Sequence, residues 1–325
     1  MPILSCVQRV GLMTCMSLML APSAWADTWP TSTIRLIVPY GTGGTPDTLA
    51  RGIAERLRTS LGRPVMVDNK PGGGGVIAIE NLRNAPADGH TLLVADTGQL
   101  AINPALRDDL PYDAIKDFTA VTQISTQDFS IAVNAKSPYK TMSALIDGSR
   151  SAPNGLFYGT SGIGSVHHLG SEQLQKLTKS NFTHVPYKGL QFSIPALLGG
   201  EVSFLLSSAS PLIPHAEAGN VRFLARASAT RSPLMPDVPT LKELGVPLVV
   251  GVSVGIVVAA GTPAPIVERL SGELRKIIKD PSLAQQFSSQ DFSLVGSSAE
   301  EYSTLIKNEA VFYKKFVKEN GIKVD

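Results

Sequence analysis

Ile34-Arg35-Leu36-Ile37-Val38 runs into Pro39-Tyr40-Gly41-Thr42-Gly43-Gly44 and then Thr45-Pro46-Asp47, after which Leu49, Ile53, Leu57 and Leu61 recur every fourth residue up to Gly62. The apolar run reads as a buried strand and the four-residue period as an amphipathic helix. Thr45 suits the helix N-cap, Pro46 the first helical position, and Asp47 the positive end of the helix dipole. Such a unit gathers bare backbone N–H groups and a helix N-terminus at the end of a strand, which suits an anion. The spacing excludes two nucleotide motifs: no GxxxxGK[ST] is present, and 41–44 lacks the GxGxxG pattern.

The same grammar continues downstream. Residues 64–68 form a second apolar strand pattern leading into the glycine run 72–75, residues 76–82 a short helix, and residues 91–95 a third strand. Strand, helix, strand, helix, strand predicts a parallel sheet with packed helices, whose ligands collect at the carboxyl ends of the strands. Residues 40–44, 69–75 and 96–99 lie at such ends; the glycines at 72–75 also suit a loop that simply needs positive φ. Residues 118–124 and 129–133 read as two strands, with a change of domain near 125–128. A second strand–glycine–helix unit follows: Leu156-Phe157-Tyr158, then 159–165 rich in glycine and hydroxyls, then a helix over 166–177 capped by Ser165. Two such units in two domains, facing across a cleft, would suit a carboxylate. The loop at 183–189 reads as a cleft loop in which Tyr187 and Lys188 help hold a ligand, or as a plain strand–turn–helix connection.

Residues 202–206 read as a strand ending in Ser207-Ser208, and residues 246–260 as buried strand, too short at about 15 residues for a membrane span of about 20. Thr240-Leu241-Lys242-Glu243 and Ser298-Ala299-Glu300-Glu301 are capping boxes. Ile266, Leu270, Leu274 and Ile278 mark one helical core face, and Tyr302, Leu305, Phe312 and Phe316 another.

Residues 1–26 read as a secretory signal peptide: Arg9 in the n-region, an apolar stretch over 10–21, and Ala24-Trp25-Ala26 as the cleavage site. Cleavage after Ala26 is favoured over a lipid anchor at Cys15, because Thr14 is a poor lipobox residue. The expected location is periplasmic. Cys6 and Cys15, the chain's two cysteines, both fall in this segment, so the mature protein needs no disulfide and has no thiolate chemistry. Of 29 basic residues only Arg9 is lost, leaving 28 against 27 acidic. That balance gives no support for nucleic-acid or polybasic membrane binding. The five histidines, His90, His167, His168, His184 and His215, include no HExxH pair. No metal or other cofactor is expected. His168 reads either as a ligand donor or as a structural hydrogen-bonding group. Ser161 lacks a GxSxG elbow, since Ile163 stands two residues after it.

The chain resembles the Bug family of extracytoplasmic solute receptors, the binding components of tripartite tricarboxylate transporters, over nearly its whole mature length. The residues are Ile34-Arg-Leu-Ile-Val-Pro-Tyr40 with Gly43-Gly44 and Asp47, Asn69-Lys-Pro-Gly72, Ala87-Asp-Gly-His-Thr-Leu-Leu93, Asn103-Pro104, Leu110-Pro-Tyr-Asp113 and Lys116-Asp-Phe118. They continue with Ser161-Gly-Ile-Gly-Ser165, His168-Leu169, His184-Val-Pro-Tyr-Lys-Gly189, Leu197-Leu-Gly-Gly200, Pro236-Asp-Val-Pro-Thr240 and Gly261-Thr-Pro263. The resemblance implies an α/β, two-domain periplasmic-binding-protein fold of the type II kind, closing on a small carboxylate in the cleft. Domain 1 would comprise 27–126 and 253–325, and domain 2 residues 127–252. The implied ligand contacts are Tyr40, Thr42, Gly43, Gly44, Asp47 and Thr97 on one wall, and Thr160, Ser161, Gly164, Ser165, His168 and Ser207 on the other. The implied partners are integral membrane subunits of a transporter, with a membrane sensor as the alternative. A secreted hydrolase is the rival class, and no nucleophile or metal motif supports it; the expectation is a monomeric receptor and no enzyme.

Two positions depart from the family pattern. Ser207-Ser208 stands where members often have Asp-Asn, and Ser253 where they often have tryptophan. A serine cannot supply the charge that receives an ammonium, so poor binding of α-amino acids is expected and a plain carboxylate, aromatic or branched, is favoured. Loss of the large ring at Ser253 should change the cleft wall, leaving more room, or the closure contact. Ser207→Asp is expected to move ligand preference toward amino acids in a competition assay; an unchanged preference would remove the inference.

Overall fold

The computed structural model describes residues 29–43 and 45–324. The first half of the fold is β1 (Ile34–Val38), α1 (Thr45–Leu61), β2 (Val65–Asn69), α2 (Val76–Arg83) and β3 (Thr91–Asp96), then a wide turn at Gly98–Ile102 and α3 (Asn103–Leu106). A 17-residue strand, β4 (Phe118–Asn134), leads to α4 (Met142–Ser151), β5 (Leu156–Thr160), α5 (Val166–Thr178), β6 (Phe182–Pro186), α6 (Leu190–Gly199), β7 (Phe204–Ser208), α7 (Ile213–Glu217) and β8 (Val221–Ala227). The chain returns through β9 (Gly251–Ala259) to α8 (Ala264–Ile278), α9 (Pro281–Gln286), β10 (Ser293–Leu294) and α10 (Ala299–Glu319).

The strands order as β2-β1-β3-β9-β4-β7-β5-β6, with β8 and β10 also on β4. β1 pairs parallel with β2 and β3, and β5 parallel with β6 and β7, as the alternating pattern requires. β1 and β3 are buried on both faces, which explains their near-continuous apolar runs, while β2 at the sheet edge is half-buried with Met66 exposed. Ile34, Leu36 and Val38 pack with α1 and α8 on one face, while Ile37 packs with α2 and α10 on the other. Leu49, Ile53, Leu57 and Leu61 are all buried, as are Ile266, Leu270, Leu274 and Ile278.

One expectation is corrected at residues 118–134. They form a single strand without a break at 125–128. β4 pairs antiparallel with β9 from Phe118 to Asp128, then with β7 and β8 from Phe129 onward. Register shifts at 120–122 and 123–125 take up the twist, so the polar residues at 125–128 need no turn. The 246–260 run likewise yields a strand only from Gly251.

Helix α10 lies across both halves of the sheet, the one around β1–β3 and the one around β5–β7. Tyr302 and Ile306 belong to the core of the first, Tyr313, Phe316 and Val317 to the core of the second. Tyr302 presses so closely on β9 that a Cβ at Gly255 would stand 2.2 Å from its ring. Phe312, expected in this core, is 46% exposed, and Tyr313 takes the buried place. The buried stripe runs through 302, 306, 313 and 316, and position 312 falls beside it. The capping box at Ser298 is present as expected. The box at Thr240 also forms: the Thr240 N–H donates to Glu243 (2.7 Å) and the Glu243 N–H to the Thr240 hydroxyl (3.1 Å). It closes a turn rather than a helix, with Gly245 and Pro247 following too soon for one.

A buried ion pair ties the C-terminal segment to the second sheet. The Arg226 guanidinium on β8 donates to the carboxylate of Asp291, which lies between α9 and β10; both are about 5% exposed. Ser232 donates to the other Asp291 oxygen (2.7 Å), and the Asp291 N–H donates to Ser210 (3.2 Å). Removing Asp291 leaves the buried Arg226 guanidinium only the more distant, partly exposed Asp128 carboxylate at 3.8 Å. Asp291→Ala is therefore expected to lower unfolding stability by about 3–5 kcal/mol in urea titration. A loss within experimental error of zero would show that the pair holds nothing together.

Candidate functional site

The first glycine loop leaves the carboxyl end of β1. Asp47, in the first turn of α1, is 2% exposed and saturated by protein donors. Its carboxylate accepts from the Gly43 N–H (2.9 Å), from Asn69 at the end of β2 (2.9 Å) and from Arg51 (3.0 Å). The Arg51 hydrogen bond, with those of Gly43 and Asn69, outweighs burial and holds the carboxyl down to about 2. Asp47 thus fixes the turn rather than facing outward. Thr42 and Gly43 are exposed; Gly44, and the side chain of Thr45 expected as N-cap, lie outside the described residues.

Tyr40 closes the loop from below. Its hydroxyl donates to Asp96 at the end of β3 and accepts from Gln99 (3.2 Å). Asp96 also accepts the Gly98 N–H (2.7 Å), and its own N–H donates to Gln99 (2.8 Å). Burial, then the Asp96 charge, raises the Tyr40 phenol; burial raises Asp96 as well.

Thr97 is buried beside this network. Its hydroxyl accepts the Ser253 N–H (3.0 Å) from β9, and the Ser253 hydroxyl donates to Glu309 of α10 (3.1 Å). Where more room was expected at Ser253, the Glu309 carboxyl is therefore engaged. Burial pushes Glu309 up to about 7, the hydrogen bonds from Ser253 and Thr97 opposing it. Sequence reasoning missed this residue, although the signal is visible: position 309 is the polar member of the stripe 302, 306, 309, 313, 316.

The second loop leaves β5 and enters α5. Three histidines hold it. His184 on β6 meets the Thr160 hydroxyl (2.7 Å), His167 meets the Ser161 hydroxyl (2.8 Å), and His168 Nδ1 accepts the Gly164 N–H (3.1 Å). Ser165 caps α5, accepting the His168 N–H (3.2 Å) while donating to Gly162 (2.7 Å). His168 also stacks on His184 with ring centroids 4.0 Å apart, so its structural role is the one the contacts display. Burial keeps all three imidazoles neutral, lowering His167 and His184 to about 4. Gly164, at φ 76°, sits where a Cβ would lie 2.6 Å from Leu106 of α3. The second loop thus touches the segment that follows β3.

Tyr40 and Asp96 meet in one group, Thr97, Ser253 and Glu309 in a second, and Thr160, Ser161, Gly164, Ser165 and His168 in a third. Ser207 is fully buried on β7, its hydroxyl turned to the Ser208 carbonyl (3.3 Å). Tyr187 reaches Glu201 (3.4 Å), a contact within the second half. Among the described residues, the backbone N–H groups of Thr42, Ser161 and Ile163 have no intramolecular acceptor. Among the described residues, no group of three or more His, Cys, Asp or Glu is placed to hold a metal ion, and no helix is long and apolar enough to cross a membrane.

The α/β fold is shared with solved periplasmic solute-binding proteins: one periplasmic transporter structure is 34% identical with a TM-score of 0.78, covering 91% of this chain and all of that one. The chain belongs to the tripartite tricarboxylate transporter family of receptors, whose model matches residues 49–322. It is 31% identical to BugT of Bordetella pertussis over 301 residues, covering 92% of both chains. It is 32% identical to R. palustris Rpa4515, solved with adipate, at a TM-score of 0.79 covering 91% of this chain and 99% of that one. MatC of Rhodopseudomonas palustris, solved with bound malate, is 28% identical with a TM-score of 0.75, covering 89% of this chain and all of that one. The receptors of this family bind and do not catalyse.

Glu309 supplies a test of the wall. Its folded carboxyl titrates near 7 against about 4.3 unfolded, so the unfolded state binds fewer protons between those values and stability falls as pH rises through them. Glu309→Gln keeps the hydrogen-bonding shape and removes that penalty. Its melting temperature should exceed the wild type's at pH 8, with the gap narrowing toward pH 5. An equal gap at both pH values would contradict the shifted carboxyl.

Proposed function

We propose that this receptor captures a small carboxylate lacking an α-ammonium group and delivers it to the membrane subunits of a tripartite transporter. The observation that carries the reading is the set of unpaired N–H donors on the two glycine loops, flanked by the Thr42 and Ser161 hydroxyls. A carboxylate is an acceptor on all its lone pairs, and pre-aligned neutral donors stabilise it without a counter-ion. Adipate and malate in the related structures are carboxylates of the same class. Ser207-Ser208 supports the exclusion of amino acids, since neither residue offers a charge to an ammonium.

Residues 27–126 with 253–325 form one lobe in this reading and 127–252 the other, with β4 and β9 as the crossings. The loops carrying Tyr40 to Asp47 and Thr160 to Ser165 then make opposite walls that approach when the lobes close. The leader is removed after Ala26, outside the described residues, and the mature receptor works in the periplasm as a monomer.

Thermal unfolding of the chain from Asp27 onward, with mono-, di- and tricarboxylates, amino acids and sugars, tests this reading. At a hundredfold excess over the dissociation constant a ligand stabilises by about 2.7 kcal/mol. Carboxylates should raise the melting temperature; sugars should not, and amino acids should act weakly. Silence across the carboxylates after unfolding and refolding to strip a retained ligand would contradict it.

A further inference from the structure

The Ser161 hydroxyl is hydrogen-bonded to a histidine of α5. Its Oγ lies 2.8 Å from His167 Nδ1. The imidazole is stacked on Phe129 of β4, with centroids 4.7 Å apart and planes 13° from parallel, so its orientation is fixed. Phe129 itself is buried and pairs with Ser208 at the end of β7. The ring and the hydroxyl are thus both held by the fold, and only the proton positions are free.

A neutral imidazole has one donor and one acceptor nitrogen. With the proton on Nε2, Nδ1 accepts from Ser161, and the serine turns its lone pairs outward, toward the loop's open side. With the proton on Nδ1, the imidazole donates to Ser161 Oγ and the serine proton points outward. A carboxylate rejects the first arrangement and accepts the second. The geometry points to His167 as a positioning residue that makes Ser161 a hydrogen-bond donor to the ligand carboxylate by holding its proton on Nδ1 in the bound state. The inference rests on the carboxylate reading above. It also makes the pair a filter: a ligand presenting a donor at this point would need the opposite tautomer. Burial supports a neutral ring, since it lowers His167 to about 4.

The test uses adipate and malate as probes, with affinities measured by calorimetry on wild type, Ser161→Ala, His167→Phe, His167→Asn and the Ser161→Ala/His167→Phe double variant. A hydrogen bond to a charged group corresponds to a tenfold or greater change in affinity. Ser161→Ala and His167→Phe should each weaken binding about tenfold, and the double variant should be little worse than either alone. His167→Phe keeps the ring stacked on Phe129, and His167→Asn, whose amide reaches the Nδ1 position, should restore most of the affinity. In ¹⁵N-histidine spectra of the adipate-saturated receptor, His167 should be the Nδ1-protonated tautomer. Loss in Ser161→Ala but not in His167→Phe, or an Nε2-protonated His167 in a wild type that binds, would overturn the role of His167 and leave the carboxylate reading standing. If neither probe binds, the carboxylate that raises the melting temperature takes their place in the same assays; silence across all the carboxylates would remove both readings.

Discussion

A loop that offers unpaired N–H groups to a ligand gives up the hydrogen bonds that would otherwise hold it in place. At the first loop that constraint is met by the Asp47 carboxylate. It takes the Gly43 N–H from the turn, Asn69 from β2 and Arg51 from its own helix, fastening three elements at one point. At the second loop the same task falls to imidazoles, one each for Thr160, Ser161 and Gly164. The two solutions differ in charge. Asp47 is a permanent anion whose charge is absorbed by Arg51, whereas the histidines are neutral by burial. In both cases the bracing groups are spent internally, which leaves the Thr42, Ser161 and Ile163 N–H groups without an intramolecular acceptor. In the proposed reading, a site of that composition would discriminate by hydrogen-bond polarity.

The second requirement is mechanical. In the proposed reading, loops at both ends of one sheet form a single site and must keep their register. β4 runs unbroken through that span, paired first with β9 and then with β7 and β8. Helix α10 packs into the cores at both ends, and the Arg226–Asp291 pair joins the segment before β10 to β8. Glu309 sits where α10, β9 and the end of β3 meet, hydrogen-bonded to Ser253 and close to Thr97. Burial there raises the Glu309 carboxyl, on a stripe that is otherwise apolar.

Much of the architecture was legible locally. Apolar runs marked the buried parallel strands because both faces of that sheet are covered, and Ser165 and Ser298 announced helix starts through capping chemistry. The continuity of β4 was hidden because residues 125–128 are polar, and a strand kept in place by neighbours on either side does not need apolar residues throughout. Phe312 was misplaced because its spacing from Tyr302 looked helical while the buried stripe passes through Tyr313. The family resemblance gathered the loop residues, but the division of labour among them was not legible. Asp47 and His168 brace, and Ser207 is enclosed, because their partners lie in other elements whose approach only the fold determines. Arg226 and Asp291, 65 residues apart, illustrate the same limit.

The central claim is that a carboxylate is held by the free donors of the two glycine loops. Backbone amide resonances followed while adipate is titrated into the isotopically labelled receptor test it most directly. The account predicts that the Thr42, Ser161 and Ile163 amide signals move together, downfield and furthest of all, with a single affinity. Saturable binding that leaves those three amides unmoved, with the shifts gathered elsewhere on the molecule, would contradict it.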